Sequence, residues 1–351
     1  MKISIASADW SNTVKDNKNH PVWGGSGWAR YGQYVDKLDH EVRAGILISR
    51  WSEFGVKTWD EEQFFDSDIL FMQRYMFENI AGILKETKGR GQVVINDVDD
   101  WYWGLRPSNS AWEASHPKLN PEENINHYST IIANSTVLTV STPHLRERLH
   151  SKVNCLIELI PNFIDISKFT PRIHTDSELI VGWCGSTAHR SGDLELLAGV
   201  LPAMGRDGVK FHHSGDLSWR PQFSEITGVP ATTTPMVAPA LYPDSFTFDI
   251  GLVPLSDTPF NLAKSYIKGL EYAAAGIPFI ASNVGEYVRL HDEFGMGRIA
   301  KKPGDWKKHV LQLSDPAVRA EEAAKNLEIL QQFDIKHGAA ILSDLIDTYA
   351  P

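Results

Sequence analysis

Apolar residues along this chain fall into short runs separated by stretches with helical spacing. The clearest example lies in the second half. Residues 248–255 are almost wholly apolar with one acid, Asp249, and residues 276–282 form a second apolar run that opens on Gly276 and Pro278. Runs of this length suit strands buried on both faces of a parallel sheet. Between them, residues 263–275 are good helix formers, closed by a glycine and then a proline. Ile267, Leu270 and Ala274 would face the sheet, while Lys264, Lys268 and Glu271 form a separate polar stripe. The segment therefore reads as one βαβ unit with a right-handed crossover.

The same alternation runs through the chain. Residues 2–8, 42–48, 67–72, 92–97 and 137–140 read as strands, and 28–38, 77–88, 122–133 and 143–150 as helices. After a polar segment at 167–177, strands are expected at 178–184, 210–214 and 232–237. Three helices should fill 303–351, the last, 335–349, folding back on the first half. Strands alternating with helices predict an α/β architecture of two doubly wound parallel sheets. The expected division is a domain at 1–166, a linker at 167–177, a domain at 178–334 and a returning helix at 335–351.

Composition narrows the function classes. The 351 residues suffice for two cores, and 42% hydrophobic with 22% charged residues is ordinary for a globular protein. No apolar run approaches the length of a membrane span, and Asp9 interrupts the opening strand too early for a secretory signal, so a cytoplasmic protein is expected. Cys155 and Cys184 lie in apolar runs and read as buried thiols. The net charge is −10, and residues 1–165 and 166–351 each carry 17 basic and 22 acidic side chains. Neither half has the basic excess of a phosphate-backbone binder.

Candidate chemistry clusters at expected strand ends, where open α/β sheets bind ligands. Gly24, Gly25, Ser26 and Gly27 form a turn after the first strand, and Gly185-Ser186-Thr187-Ala188-His189-Arg190 forms another in the second half. Such turns into helices are anion sites. With Ser265 in a first helical turn, Lys264 and Lys268 suit a diphosphate, and Glu271 suits ribose hydroxyls. The alternative is a solvated face with a Lys268–Glu271 pair. Asp97, Asp99 and Asp100 follow the fourth strand. A cluster of acids marks a metal, a catalytic base or a site for substrate hydroxyls, or else a capped solvated loop. Eight of the eleven tryptophans (Trp10, Trp23, Trp28, Trp51, Trp59, Trp101, Trp103 and Trp112) lie in the first half. Beside the acids, Trp101 and Trp103 read as groups that stack on a sugar, a peptide aromatic or an unpaired base, against a core role. His116, His127 and His144 have no ligand spacing and read as surface or packing residues.

The run Asp249-Ile-Gly-Leu-Val-Pro-Leu255, then Lys264-Ser-Tyr-Ile-Lys-Gly-Leu-Glu-Tyr272, then Gly276-Ile-Pro-Phe-Ile-Ala-Ser282 resembles the donor segment of family 4 retaining glycosyltransferases of the GT-B fold. The resemblance extends from Gly24 to Gly285. It implies two Rossmann-like domains facing across a cleft and a nucleoside-diphosphate sugar, a UDP-sugar first, as co-substrate without a metal or other cofactor. In that family two glutamates eight apart contact the donor; Glu271 matches the second and Ala263 stands at the first. The resemblance implies donor contacts from Gly25, Ser26, Gly185, Ser186, His189, Lys264, Ser265, Tyr266, Lys268 and Glu271. Arg190 and Lys264 would stabilise the leaving diphosphate. Asp97 stands roughly where many members have a catalytic-site histidine, and Asp97 and Asp99 are the further catalytic candidates. Asp100, Trp101 and Trp103 would meet the acceptor. The tryptophan-rich runs at 23–30 and 96–103 resemble those of bacteriophage-encoded members. That implies a large acceptor in a host cytoplasm, a hydroxymethylated pyrimidine in DNA or a virion protein. A nucleotide-sugar 2-epimerase, a cell-surface glycan glycosyltransferase and a non-catalytic binding module of the same fold are the alternatives.

Overall fold

The computed structural model describes the chain except for residues 16–20, 46–65, 77, 90, 114–123, 176–177, 188–191, 217–220 and 351. Trp51, Trp59, His116, His189 and Arg190, singled out above, lie outside the described residues. So does the end of the expected 42–48 strand.

The first sheet has six strands in the order β4-β1-β5-β6-β7-β8: β1 (Ile3–Ser7), β4 (Val42–Gly45), β5 (Ile69–Gln73), β6 (Val93–Val98), β7 (Val137–Val140) and β8 (Leu156–Leu159). All neighbours are parallel. A small hairpin of β2 (Trp10–Lys15) and β3 (Pro21–Trp23) stands beside it. The second sheet is also six-stranded and parallel, ordered β11-β10-β9-β12-β13-β14: β9 (Ile180–Cys184), β10 (Lys210–Asp216), β11 (Thr232–Pro235), β12 (Ile250–Val253), β13 (Phe279–Ser282) and β14 (Arg298–Ala300). Every residue of β5, β12 and β13 is buried, as continuous apolar runs require when helices cover both faces. Strand order reverses between β1 and β5 and between β9 and β12. Such switch points leave a crevice at the strands' carboxyl ends.

Two expected helices are broken, both at the crevice. The 28–38 segment is a π-helical turn at Trp28–Gly32 and a 3-10 turn at Val35–Lys37, preceded by a single helical turn at Gly25–Gly27. The Gln33 amide donates to the Trp28 carbonyl at 3.1 Å, one residue further than an α-helix allows, where the Trp23 and Trp28 rings close on Gly32. The expected 263–275 helix starts later, at Ile267–Ala274, and a separate short helix, Pro259–Leu262, capped by Thr258, precedes it. Residues 263–266 are a loop because tertiary bonds claim them. Thr142 Oγ1 donates to the Ala263 carbonyl at 3.2 Å, and Asn162 Nδ2 donates to Ser265 Oγ at 2.6 Å. Ser265 therefore precedes the helix rather than lying in its first turn.

The chain crosses between the domains twice, side by side, at Ile164 and Asp334. The final helix, Ile335–Thr348, packs Ile335, Leu342 and Ile346 with Ile3, Ile5 and Phe71 of the first sheet. Close approach there needs Gly338, where a Cβ would sit 2.6 Å from the Phe163 ring and 2.7 Å from the Tyr34 hydroxyl. Among the described residues, no helix is long and apolar enough to cross a membrane.

Candidate active site

The carboxyl ends of the two sheets face each other across a cleft of about 470 Å³. The first domain contributes Asp9, Gly25, Ser26, Arg74, Asp99, Asp100 and Tyr102; the second contributes Gly185, Ser186, Lys264, Ser265, Lys268 and Glu271.

The first-domain wall is built around Arg74, which follows β5. Its guanidinium meets Asp9 Oδ1 at 3.2 Å, Asp99 Oδ2 at 2.9 Å and Asp100 Oδ2 at 3.2 Å. The same guanidinium lies 5.4 Å from the centre of the Tyr102 ring. Among the described residues, Arg74 is the one non-glycine with positive φ, at 61°. A left-handed residue of this kind persists where its surroundings over-determine it, and three carboxylates do so here. Asp9 also accepts from the Gly27 amide at 2.8 Å, which ties the glycine turn to the cluster. Burial pushes Asp99 up, but the Arg74 charge and the Ser26 hydroxyl outweigh it and hold its carboxyl below the ordinary value. Burial lifts the neighbouring Asp100 above the ordinary value, against the pull of Lys264. Among the described residues, no three His, Cys, Asp or Glu side chains are placed to hold a metal. The acids instead surround an arginine.

The second-domain wall is cationic and hydroxylic. Lys264 reaches across to Asp100 Oδ1 at 3.4 Å and stands 4.4 Å from the centre of the Phe260 ring. Lys268 stands 5.9 Å from the centre of the Tyr272 ring. Glu271 is half-buried, and burial raises its carboxyl against the pull of Lys268. The Gly185 turn is fixed from behind. His213, fully buried and stacked on Trp183, contacts the Gly185 carbonyl through Nε2 at 2.8 Å.

Four sequence candidates stand elsewhere. Asp97 is fully buried behind the wall, because it points toward Arg30 rather than the cleft. Arg30 Nη2 meets it at 2.8 Å, and Thr139 Oγ1 donates to it at 2.7 Å. Trp101 is 6% exposed and packs with Val98, Leu145 and Leu149. Trp103 stacks on Tyr128 at 5.5 Å and donates from Nε1 to Ser129 Oγ at 3.0 Å. Asp100 and Tyr102 line the cleft, while Trp101 and Trp103 turn to the core. Tyr266 is 2% exposed, with its ring 5.4 Å from that of Phe333. Burial pushes its hydroxyl up to about 12, the positive Arg289 notwithstanding.

Two facing Rossmann-like domains, a cleft at both switch points and a last helix returned to the first domain define the architecture. The chain has the GT-B fold. Its full length is similar to the sucrose-phosphate synthase of Thermosynechococcus elongatus, with TM-score 0.67 and 14% identity over 99% of each chain. It is similar to Anabaena HepE in complex with UDP-glucose, with TM-score 0.64 and 11% identity over 99% of this chain and 100% of that one. A glycosyltransferase from Rickettsia africae matches with TM-score 0.61 and 12% identity, over 99% and 97%. No family model matches the sequence, and no curated protein matches it.

Arg74, Asp9, Tyr102 and Arg30 were not candidates from the sequence. Arg74 had one signal available, a lone cation directly after a buried strand, but its partners lie far from it in sequence. Asp9 closes the first strand and reads there only as a loop acid.

Proposed function

We propose that the protein is a retaining glycosyltransferase that moves a sugar from a nucleoside diphosphate, uridine first, to an acceptor hydroxyl. The observation that carries the reading is the convergence on one interdomain cleft of Lys264, Ser265, Lys268 and Glu271 with the glycine turns at Gly25 and Gly185. Lysines, hydroxyls and turn amides suit the diphosphate, and a half-buried carboxylate suits the ribose diol. The fold it shares with a protein crystallised with UDP-glucose supports the same ligand class. Arg190, outside the described residues, belongs to the diphosphate side in this reading.

The chemistry is electrostatic. As the bond from the sugar's anomeric carbon to the diphosphate breaks, charge grows on the phosphate, and Lys264 and Lys268 stabilise it. The acceptor oxygen bonds to the same face of that carbon and its proton passes to the departing phosphate oxygen. Arg74 engages Asp9, Asp99 and Asp100, a poor arrangement for an attacking carboxylate, which favours this front-face course with retention. The acceptor is read as a macromolecular hydroxyl, on a modified pyrimidine of DNA or on a virion protein, entering from the first-domain side.

The test is a mass-spectrometric screen of nucleotide sugars with purified protein. Slow hydrolysis of one of them supports the reading, and release of an epimer without acceptor replaces it with an isomerase. Glu271→Ala should weaken UDP binding by about 1.5–3 kcal/mol, the worth of charge-assisted bonds. Unchanged affinity by calorimetry would return Glu271 to a solvated helix face.

A further inference from the structure

Asp100 belongs to the first domain and Lys264 to the second, and they meet across the cleft with side chains only 14% and 19% exposed. The two oxygens of Asp100 have different partners. Oδ2 is held by Arg74 Nη2 at 3.2 Å, inside its own wall. Oδ1 faces Lys264 Nζ at 3.4 Å. Arg74 stays anchored by Asp9 and Asp99 whatever Lys264 does. Lys264 differs from Arg74 in kind, a compact charge on a flexible stem that can change partner without moving backbone. An incoming diphosphate carries more charge than one oxygen of a carboxylate already shared with an arginine. Among the described residues, the Tyr102 hydroxyl of the same wall is buried without a hydrogen-bond partner.

We propose that Asp100 couples the two halves of the cleft by exchanging Lys264. In the empty cleft Asp100 holds the lysine. Donor binding draws Lys264 to the diphosphate, and Oδ1, released, accepts a hydrogen bond from the acceptor hydroxyl, with Tyr102 as a second polar contact. The donor then binds first, and Asp100 lowers donor affinity while it prepares the acceptor's place. This rests on the glycosyltransferase reading above and adds to it a residue that sets the order of binding.

The test is a double-mutant cycle read by calorimetry with UDP. Asp100→Asn should tighten UDP about tenfold, a typical coupling between sites, because the competitor for Lys264 is gone. In the Lys264→Met background the same change should leave UDP affinity unaltered. Unchanged UDP affinity in Asp100→Asn overturns the proposal. So does an equal gain in both backgrounds, which would reflect general removal of negative charge. Thermal melts check that each protein folds, and Asp100→Ser replaces any Asp100→Asn protein that does not. A flat titration of the wild type with both UDP and UDP-glucose would instead overturn the donor reading itself, and the proposal with it.

Discussion

Arg74→Ala should cost the proposed transfer activity about a hundredfold and should also lower stability. The activity loss follows from position, since displacement of reacting groups by an ångström costs on that order. Without the guanidinium, Asp9, Asp99 and Asp100 repel one another and the wall of the cleft spreads. The stability loss follows from charge. Removing one partner of a buried ion pair costs about 3–5 kcal/mol, and partial solvent access to Arg74 reduces this to roughly 2–3 kcal/mol. The pH dependence has a definite sign. The Asp99 carboxyl is held below its ordinary value, so its contribution is present above the unfolded-state value and lost as pH falls through the folded one. The gap in melting temperature between wild type and variant should be widest near neutral pH and narrow on acidification, as the carboxylates protonate. Arg74→Gly separates strain from charge. It removes the same counter-charge but suits a φ of 61°, so it should be about 1 kcal/mol more stable than Arg74→Ala. Equal melting temperatures for the two variants would mean that the left-handed backbone stores no strain.

The architecture was legible in the sequence because it rests on local patterns. Apolar runs at 248–255 and 276–282 suit covered strands, and the structure has β12 and β13 there. The second-domain wall of the cleft was legible for the same reason, since Lys264, Lys268 and Glu271 lie within eight residues and all reach one cleft. The first-domain wall was less legible because its contacts are non-local. Asp97, Asp99 and Asp100 are equivalent as a string, but Asp97 lies within β6 and meets Arg30, while Asp99 and Asp100 follow the end of the strand and meet Arg74. Which acid meets which arginine depends on sheet order, and sequence spacing does not encode it. The break at 263–266 was hidden likewise, because Thr142 and Asn162 of the other domain make it.

Arg30→Ala should be the most destabilising single change near the cleft. Arg30 and Asp97 have side chains only 4% and 1% exposed, and Arg30 Nη1 also donates to the Ile160 carbonyl at 2.6 Å and to Asn162 Oδ1 at 2.8 Å. Burial works against both charges. Asp97 nevertheless holds Arg30 charged, above its ordinary value, while burial leaves Asp97 above its own. Truncation strands a buried carboxylate and two acceptors, at a cost of about 3–5 kcal/mol by thermal or urea melts. The second effect is on the second-domain wall, the donor side in the proposed reaction. Arg30 orients Asn162, whose Nδ2 holds Ser265 in the loop before the Lys268 helix, so losing Arg30 loosens Ser265 across the domain boundary. The double variant Arg30→Met with Asp97→Leu distinguishes the two roles. Replacing both charges with apolar groups of similar size should restore most of the stability. Asn162 would remain unanchored, so the donor KM should stay raised. Asp97→Asn alone gives the opposing reading its chance. If that variant loses transfer activity with its melting temperature intact, Asp97 meets the substrate after all. A fall in melting temperature, with activity lost only in proportion, places Asp97 behind the wall, where its bonds to Arg30 and Thr139 put it.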